Sequence, residues 1–281
     1  MLTGRIFSVE EFATFDGPGI RMTVFLKGCP LRCTWCHNPE GQSFPMEFLR
    51  SPNGCTGCGA CLDAGQRERG TRCLTEASIS ACPRNLVRRC GEDITSVQLI
   101  DQIMKNARLL SGGGVTFSGG EPLAQLPFLL ECLRLLEGRI HRAVQTSGYA
   151  DSASFSQALS RCDYMLFDLK LMDSAQHKAF CGVDNGLILS NYARLARSGI
   201  PFVTRVPLIP TVTDTEENLS AIAEFMTGLG VDYVEVLPYT QLAGSKYSGL
   251  LRQYQPGFEQ RPSRTDSAAI FARYGIRARQ M

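Results

Sequence analysis

Three cysteines stand at residues 29, 33 and 36 within "FLKGCPLRCTWCHNPE" (residues 25–40), beside Trp35, the one tryptophan of the chain, and His37. A structural zinc site closes with four protein ligands, commonly from paired C-x2-C hooks. Here the local set stops at three, and His37 follows Cys36 directly, which is poor geometry for a fourth bond to the same ion. An iron–sulfur cube held by three thiolates leaves one iron without a protein ligand and free to bind substrate. The spacing therefore points to a cluster with one open position, with zinc as the alternative.

Six further thiols, Cys55, Cys58, Cys61, Cys73, Cys82 and Cys90, bring nine of the twelve cysteines between residues 29 and 90. In a reducing compartment such crowding reads as metal or cluster binding rather than disulfides. Cys55-x2-Cys58-x2-Cys61 is a ferredoxin-like opening and Cys82-Pro83 a ferredoxin-like finish, but Gly65 stands where a two-cluster run would place its next cysteine. Six thiols suffice for one 4Fe–4S cluster with two to spare, or for two with incomplete protein ligation; zinc is again the alternative. Cys132, Cys162 and Cys181 lie in apolar contexts and read as buried structural thiols.

The elements that must position these groups are legible as β-rich runs at residues 21–26, 114–117, 141–146, 164–169, 201–209 and 232–239. Helical patterns at 123–137 and 218–229 fall between them, and the alternation predicts βαβ units in a parallel sheet, an α/β fold. About 90 residues separate the first two strands, where a unit with one helix (95–110) needs roughly a third of that. The excess, residues 44–93, reads as a cysteine-rich insert held by metal rather than by a core. It divides the chain into 1–43, the insert, and 94–281. A short helix is expected in the polar tail.

The 281 residues carry a net charge of +2 and 44% hydrophobic residues, which gives no electrostatic reason to expect nucleic acid or an anionic membrane surface. No apolar run is long enough to span a bilayer, and the start lacks the layout of a secretory signal. The expectation is a cytoplasmic protein.

"CPLRCTWC" resembles the C-x3-C-x2-C motif of the radical S-adenosylmethionine superfamily. "TFDGPGIRMTVFLKGCPLRCTWCHNPE" resembles the opening of its glycyl-radical-enzyme activating enzymes, and "SGGGVTFSGGEPL", "QTSGY", "LFDLK", "TRVPLIP" and "LPYTQLAGSKY" follow in the family's order. The resemblance implies a partial (β/α)6 TIM-like barrel and a 4Fe–4S cluster on Cys29, Cys33 and Cys36 whose open iron binds S-adenosylmethionine. It further implies reductive cleavage to a 5′-deoxyadenosyl radical, and hydrogen abstraction from a backbone glycine of a partner enzyme. Such inserts carry one or two auxiliary clusters in many of these activases. A flavodoxin or ferredoxin would be the electron donor. A radical enzyme acting on a small molecule and an electron-transfer protein are the alternatives.

By the same resemblance Gly119, Gly120 and Glu121 meet the cofactor's ammonium, while Asp168, Leu169 and Lys170 line its site. Trp35 and His37 pack on adenine, and Thr14, Phe15 and Asp16 meet the partner's glycyl loop. Arg205, in an otherwise apolar strand, suits a bidentate carboxylate clamp. Two positions depart from the family's best-known member, pyruvate formate-lyase activase. Gln145 replaces an aspartate, which puts a monovalent-cation site in doubt, and Thr240 replaces a histidine, so it can hydrogen-bond but not stack.

Overall fold

The computed structural model describes residues 1–68, 70–110 and 112–281; Arg69 in the insert and Ser111, which opens the "SGGG" stretch, lie outside the described residues. Among the described residues nine strands form the main sheet: β1 (Thr3–Ala13), β2 (Arg21–Leu26), β3 (Glu92–Thr95), β4 (Gly114–Gly119), β5 (His141–Thr146), β6 (Tyr164–Asp168), β7 (Phe202–Leu208), β8 (Tyr233–Pro238) and β9 (Arg277–Gln280). Their order is β9-β8-β7-β6-β5-β4-β2-β1-β3. The seven strands from β9 to β2 run parallel, whereas β1 is antiparallel to both β2 and β3. The order does not return on itself, so the six expected strands make a partial (β/α)6 barrel, extended at both edges.

Strand alternation sorts the side chains into two environments. Met22, Val24 and Leu26 on β2, Val115 and Phe117 on β4, and Val206 and Leu208 on β7 face the helices and join one continuous core. The helices begin where the sequence supplies acceptors for their free N–H groups. Thr95 caps the helix Ser96–Lys105, Asp151 caps Ser152–Leu159, and Thr215 caps Glu216–Thr227. The helix expected over 123–137 instead opens as a 3-10 turn, Pro122–Gln125, and becomes α-helical at Leu126–Leu135, where Pro127 fits the first turn. No helix among the described residues is long and apolar enough to cross a membrane.

The insert differs from the expectation in two respects. It has a small apolar core of its own, in which Leu74 and Val87 pack with Phe48, Ile79 and Leu86 around Cys61 and Cys82. Its frame is an antiparallel pair, Glu47–Arg50 with Val87–Cys90, and a short hairpin, Gln66–Glu68 with Thr71–Cys73. It also ends earlier than residue 93, because Glu92 and Asp93 already pair with Ile6 and Arg5 in the main sheet.

Tyr192, on the helix Gly186–Ala196, is fully buried edge-on against Phe167 and Phe202, and its hydroxyl lies 2.6 Å from Thr204 Oγ1. Urea denaturation should place Y192F about 1–3 kcal/mol below the wild type, through the unpaired Thr204 hydroxyl. Y192A should cost about 3–5 kcal/mol through the cavity it leaves.

Candidate functional site

Each barrel strand presents polar or apolar residues inward at every second position, and the last inward residue of each strand comes to the same level. Phe25, Ser118, Gln145, Asp168, Pro207 and Leu237, one from each of β2, β4, β5, β6, β7 and β8, form the floor of a cavity of about 330 Å³. Parallel strands place these residues at their C-terminal ends, the rim on which such barrels build their sites. The loop that leaves β2 closes over this floor, and Cys29, Cys33 and Cys36 all line the cavity with Trp35 and His37.

Over its cysteines that loop has no regular secondary structure, and main-chain hydrogen bonds to its own exit, which holds the 3-10 turn Pro39–Gly41, and to two other segments hold it. Gly28 and Cys29 donate to the carbonyls of Gly41 and Gln42 at 2.7 and 3.1 Å, closing the loop on its own exit. Gly120 and Glu121 donate to Leu26 and Gly28 at 2.8 and 2.9 Å, binding the glycine turn after β4 to the loop's root. Arg32 and Thr34 donate to Cys181 and Phe180 at 2.7 and 2.9 Å, so Cys33 is bracketed by the end of the helix Ser174–Cys181. A Cβ on Gly120 would lie 2.3 Å from the Gly41 carbonyl oxygen and 2.4 Å from that of Gly28, a distance that forbids any side chain there. Gly119 has φ of +121°, which strongly favours glycine.

The electrostatics of the cavity are set by burial and by one ion pair. Burial pushes Cys29 above its ordinary thiol value and Cys36 up to about 12. Cys33 is pushed well up by the neighbouring Cys181 thiol and by burial. Lys170 Nζ lies 3.0 Å from Asp168 Oδ2. Burial alone would lower the lysine pKa, but Asp168 and the nearby sulfurs outweigh it and hold it above the usual range. The other oxygen, Asp168 Oδ1, is buried with no hydrogen-bond partner among the described residues. An unpaired buried acceptor is costly unless a ligand donates to it. The cavity thus offers one ammonium and one free acceptor side by side, the complement of a zwitterion. Among the described residues no three His, Cys, Asp or Glu side chains converge on a single ion. Thiols spread along one wall could hold a larger cluster, and the donor set fits one.

Several expected site residues stand elsewhere. Glu121 is 1% exposed and faces away from the cavity. Its carboxylate accepts from Thr146 Oγ1 (2.6 Å), Ser147 N (2.9 Å), Ser147 Oγ (2.6 Å) and Leu123 N (3.2 Å), so it braces the rim and is not directed at an ammonium. Arg205 does point into the barrel, but one layer below the floor, because Pro207 is the last inward residue of β7. There it pairs with Glu235 at 3.1 Å and donates to the Phe15 carbonyl, which leaves no free fork for a carboxylate clamp. Leu169 packs outward in the core. Thr240 lies beside the His37 ring, 3.4 Å from Nδ1. Asp16 reaches the cavity, held by Thr23 Oγ1 at 2.7 Å, while Thr14 and Phe15 are exposed outside it.

Ser118, Thr146 and Ser147 also line the cavity and were not singled out from the sequence. The alternation that placed Asp168 inward applies equally to Ser118, two residues after inward-facing Thr116. In the insert, Cys55, Cys58, Cys61 and Cys82 line one small recess with Arg50 and Arg84. The N–H groups of Leu86 and Arg84 pull the Cys82 thiol below its ordinary value, and Arg50 Nη1 lies 3.9 Å from Cys61 Sγ. Cys73 instead donates to the Thr71 carbonyl, and Cys90 is buried by the Glu40 carbonyl. Gly120→Ala should lower stability by about 1–3 kcal/mol through the forced backbone shift. It should also reduce the iron retained by the reconstituted chain, as read by colorimetric iron assay.

Residues 15–181 match a family model described as a 4Fe-4S single cluster domain. The chain is similar to the isethionate sulfite-lyase activating enzyme of Nitratidesulfovibrio vulgaris, 38% identical over 277 residues that cover 91% of this chain and 90% of that one. It is similar to the trans-4-hydroxy-L-proline dehydratase activating enzyme of Clostridioides difficile, 35% identical over 276 residues, 92% and 91% of the two chains. Among solved structures it resembles a domain of pyruvate-formate lyase-activating enzyme from Bacteroides vulgatus, with 35% identity, a TM-score of 0.51, and coverage of 60% of this chain and 99% of that one. The family model spans the cysteine loop and the relatives cover nine-tenths of the chain, and the chain therefore belongs to the glycyl-radical-enzyme activating enzymes of the radical S-adenosylmethionine superfamily.

Proposed function

We propose that the cavity above the barrel floor is where this activating enzyme cleaves S-adenosylmethionine, with Cys29, Cys33 and Cys36 as the ligands of the 4Fe–4S cluster. The observation that carries this reading is the convergence, in one cavity, of three thiols with the Lys170 ammonium and the unpartnered Asp168 Oδ1. When bound, the cluster supplies the electron that splits the sulfonium into methionine and the 5′-deoxyadenosyl radical, which takes a hydrogen atom from a backbone glycine of the partner enzyme. Lys170 binds the cofactor's carboxylate, and Asp168 accepts from its ammonium or a ribose hydroxyl. Trp35, buried against Phe180 with ring centroids 6.5 Å apart, and His37 at the rim flank the adenine. Burial lowers the His37 pKa, which keeps that ring neutral near pH 7. Gly119 and Gly120 let main chain approach the ligand without a side chain between. Asp16, at the open edge with Thr14 and Phe15 beside it, meets the incoming glycyl loop.

Glu121 and Arg205 serve as braces in this reading: the first fixes the glycine turn, the second ties β7 and β8 to the loop before β2. Gln145 brings no charge to the floor and accepts from Ser118 Oγ at 3.1 Å, so a carboxylate-bound monovalent cation has no place there. A flavodoxin- or ferredoxin-type protein would deliver the electron, in the cytoplasm. For the insert, four thiols around one recess support a single auxiliary 4Fe–4S cluster on Cys55, Cys58, Cys61 and Cys82. Cys73 and Cys90 stand outside it.

Wild-type protein reconstituted anaerobically, reduced and given S-adenosylmethionine should yield 5′-deoxyadenosine, and C33A should yield none. Product from C33A would refute the assignment of the triad. K170M should raise the S-adenosylmethionine concentration for half-maximal product by about 10–100-fold, the loss of a charge-assisted contact. Iron analysis should give about eight irons per wild-type chain and about four for C55A, C58A, C61A or C82A, given four irons to a cluster. C73A and C90A should keep the wild-type content, and loss of iron from either would overturn the four-ligand assignment.

A further inference from the structure

Asn38 lines the cavity with Trp35 and His37, on the short link between Cys36 and the 3-10 turn Pro39–Gly41. Its main chain is held there, because its carbonyl accepts from Gly41 N–H at 2.9 Å. Its side chain is held from outside the cavity: Lys246, on the helix Ala243–Gly249, donates to Asn38 Oδ1 at 2.8 Å. An ammonium has three donors and no acceptor, so the amide can present only its oxygen to Lys246. The planar amide then carries its NH2 on the other side, and no acceptor among the described residues takes a hydrogen bond from it. Lys246 is itself pinned. Glu40, 7% exposed, holds the same ammonium at 3.0 Å, and its second oxygen, Oε2, is buried with no hydrogen-bond partner among the described residues. A buried carboxylate with one ion-pair partner resists losing it, so the lysine stays where it can orient Asn38.

We infer that Lys246 is a positioning residue: it turns the Asn38 amide so that its NH2 donates to an acceptor nitrogen of the cofactor's adenine. The inference rests on the proposed binding of S-adenosylmethionine in this cavity, with Trp35 and His37 flanking the base. Stacking on those rings does not tell one base from another, whereas a hydrogen bond to the base edge does. The ring nitrogens of adenine are acceptors, and a donor that met another donor there would leave both unpaired. Lys170 and Asp168 are taken by the carboxylate and by the ammonium or a ribose hydroxyl, which leaves the base to Asn38. Lys246 is not among the residues that line the cavity, so it acts through Asn38 and not on the cofactor.

The test is calorimetric titration of the full-length reconstituted chain with S-adenosylhomocysteine, which keeps the base, amine and carboxylate but has no sulfonium to cleave. N38A should raise its Kd about 3–10-fold, the loss of one hydrogen bond. Of its 1-deaza, 3-deaza and 7-deaza analogues, one should bind the wild type more weakly by the same factor. That analogue should bind N38A no more weakly than the parent compound does. The lysine is tested in an E40Q background, so that its removal strands no buried charge. There K246M should raise the Kd by the same factor, and should change nothing when added to N38A/E40Q. Wild-type affinity in N38A, or equal affinity of the wild type for all four compounds, would overturn the inference. So would an equal loss from K246M with and without Asn38, which would make the lysine a structural brace alone. No binding of S-adenosylhomocysteine to the wild type would instead refute the proposed cofactor cavity, and the inference with it.

Discussion

The loop that carries Cys29, Cys33 and Cys36 follows neither helix nor strand, so its main-chain groups need partners from outside. In this chain that requirement organises the upper rim. The glycine turn after β4, the exit of the loop itself and the end of the helix Ser174–Cys181 each supply carbonyls or amides to it, at 2.7–3.1 Å. The close approach at Gly28, Gly41 and Gly120 is what allows the turn and the loop to share those bonds. Without it the thiols would sit on a flexible segment, and their mutual spacing would be lost. The conformational cost of ordering such a loop is of order 1–2 kcal/mol per residue, so the anchoring bonds and the apolar packing around Trp35 and Cys181 are both needed.

Below the rim, the barrel interior is filled in layers. Ala143, Leu166 and Val203 form an apolar level with Tyr164 and Tyr233, and Arg21, fully buried, donates to the carbonyls of Pro18 and Val115 at 2.9 and 2.6 Å. Arg205 and Glu235 lie above this and satisfy one another. Among the described residues the highest level carries a buried carboxylate oxygen without a partner, Asp168 Oδ1, and that is an acceptor a ligand can use.

Much of this was legible in the sequence because the two periodicities involved are strong. Six of the seven parallel strands were readable from β-branched and aromatic runs, and the period of two put Asp168 and Lys170 on one side, as the cavity has them. The extent of β7 was legible too, within the expected run 201–209, but not which of its inward residues would reach the cavity: Pro207 does, and Arg205, two residues earlier, does not. Glu121 was misassigned for a different reason: its partners, Thr146 and Ser147, are 25 and 26 residues away, and no local pattern announces a buried carboxylate's donors. The antiparallel strand β1, with Gly4, Glu10 and Glu11 in it, lacks the composition of a core strand, and the edge strand β3 is four residues long. Cys132, Cys162 and Cys181 are buried, as their apolar contexts led one to expect.

Lys27, at the end of β2, is buried with its ammonium between the Glu40 carbonyl at 2.6 Å and the Glu47 carboxylate at 2.8 Å. Glu47 also takes Arg252, while Glu40 takes Lys246 at 3.0 Å. Stranding a buried charge by removing its partner costs about 3–5 kcal/mol. The first strand of the insert is thus riveted to the barrel and to the C-terminal segment at one ionic joint, on the same stretch of chain that ends the cysteine loop. The recess with its four thiols and the cavity with its three are consequently joined by side-chain contacts between insert and barrel, and not by the connecting chain alone.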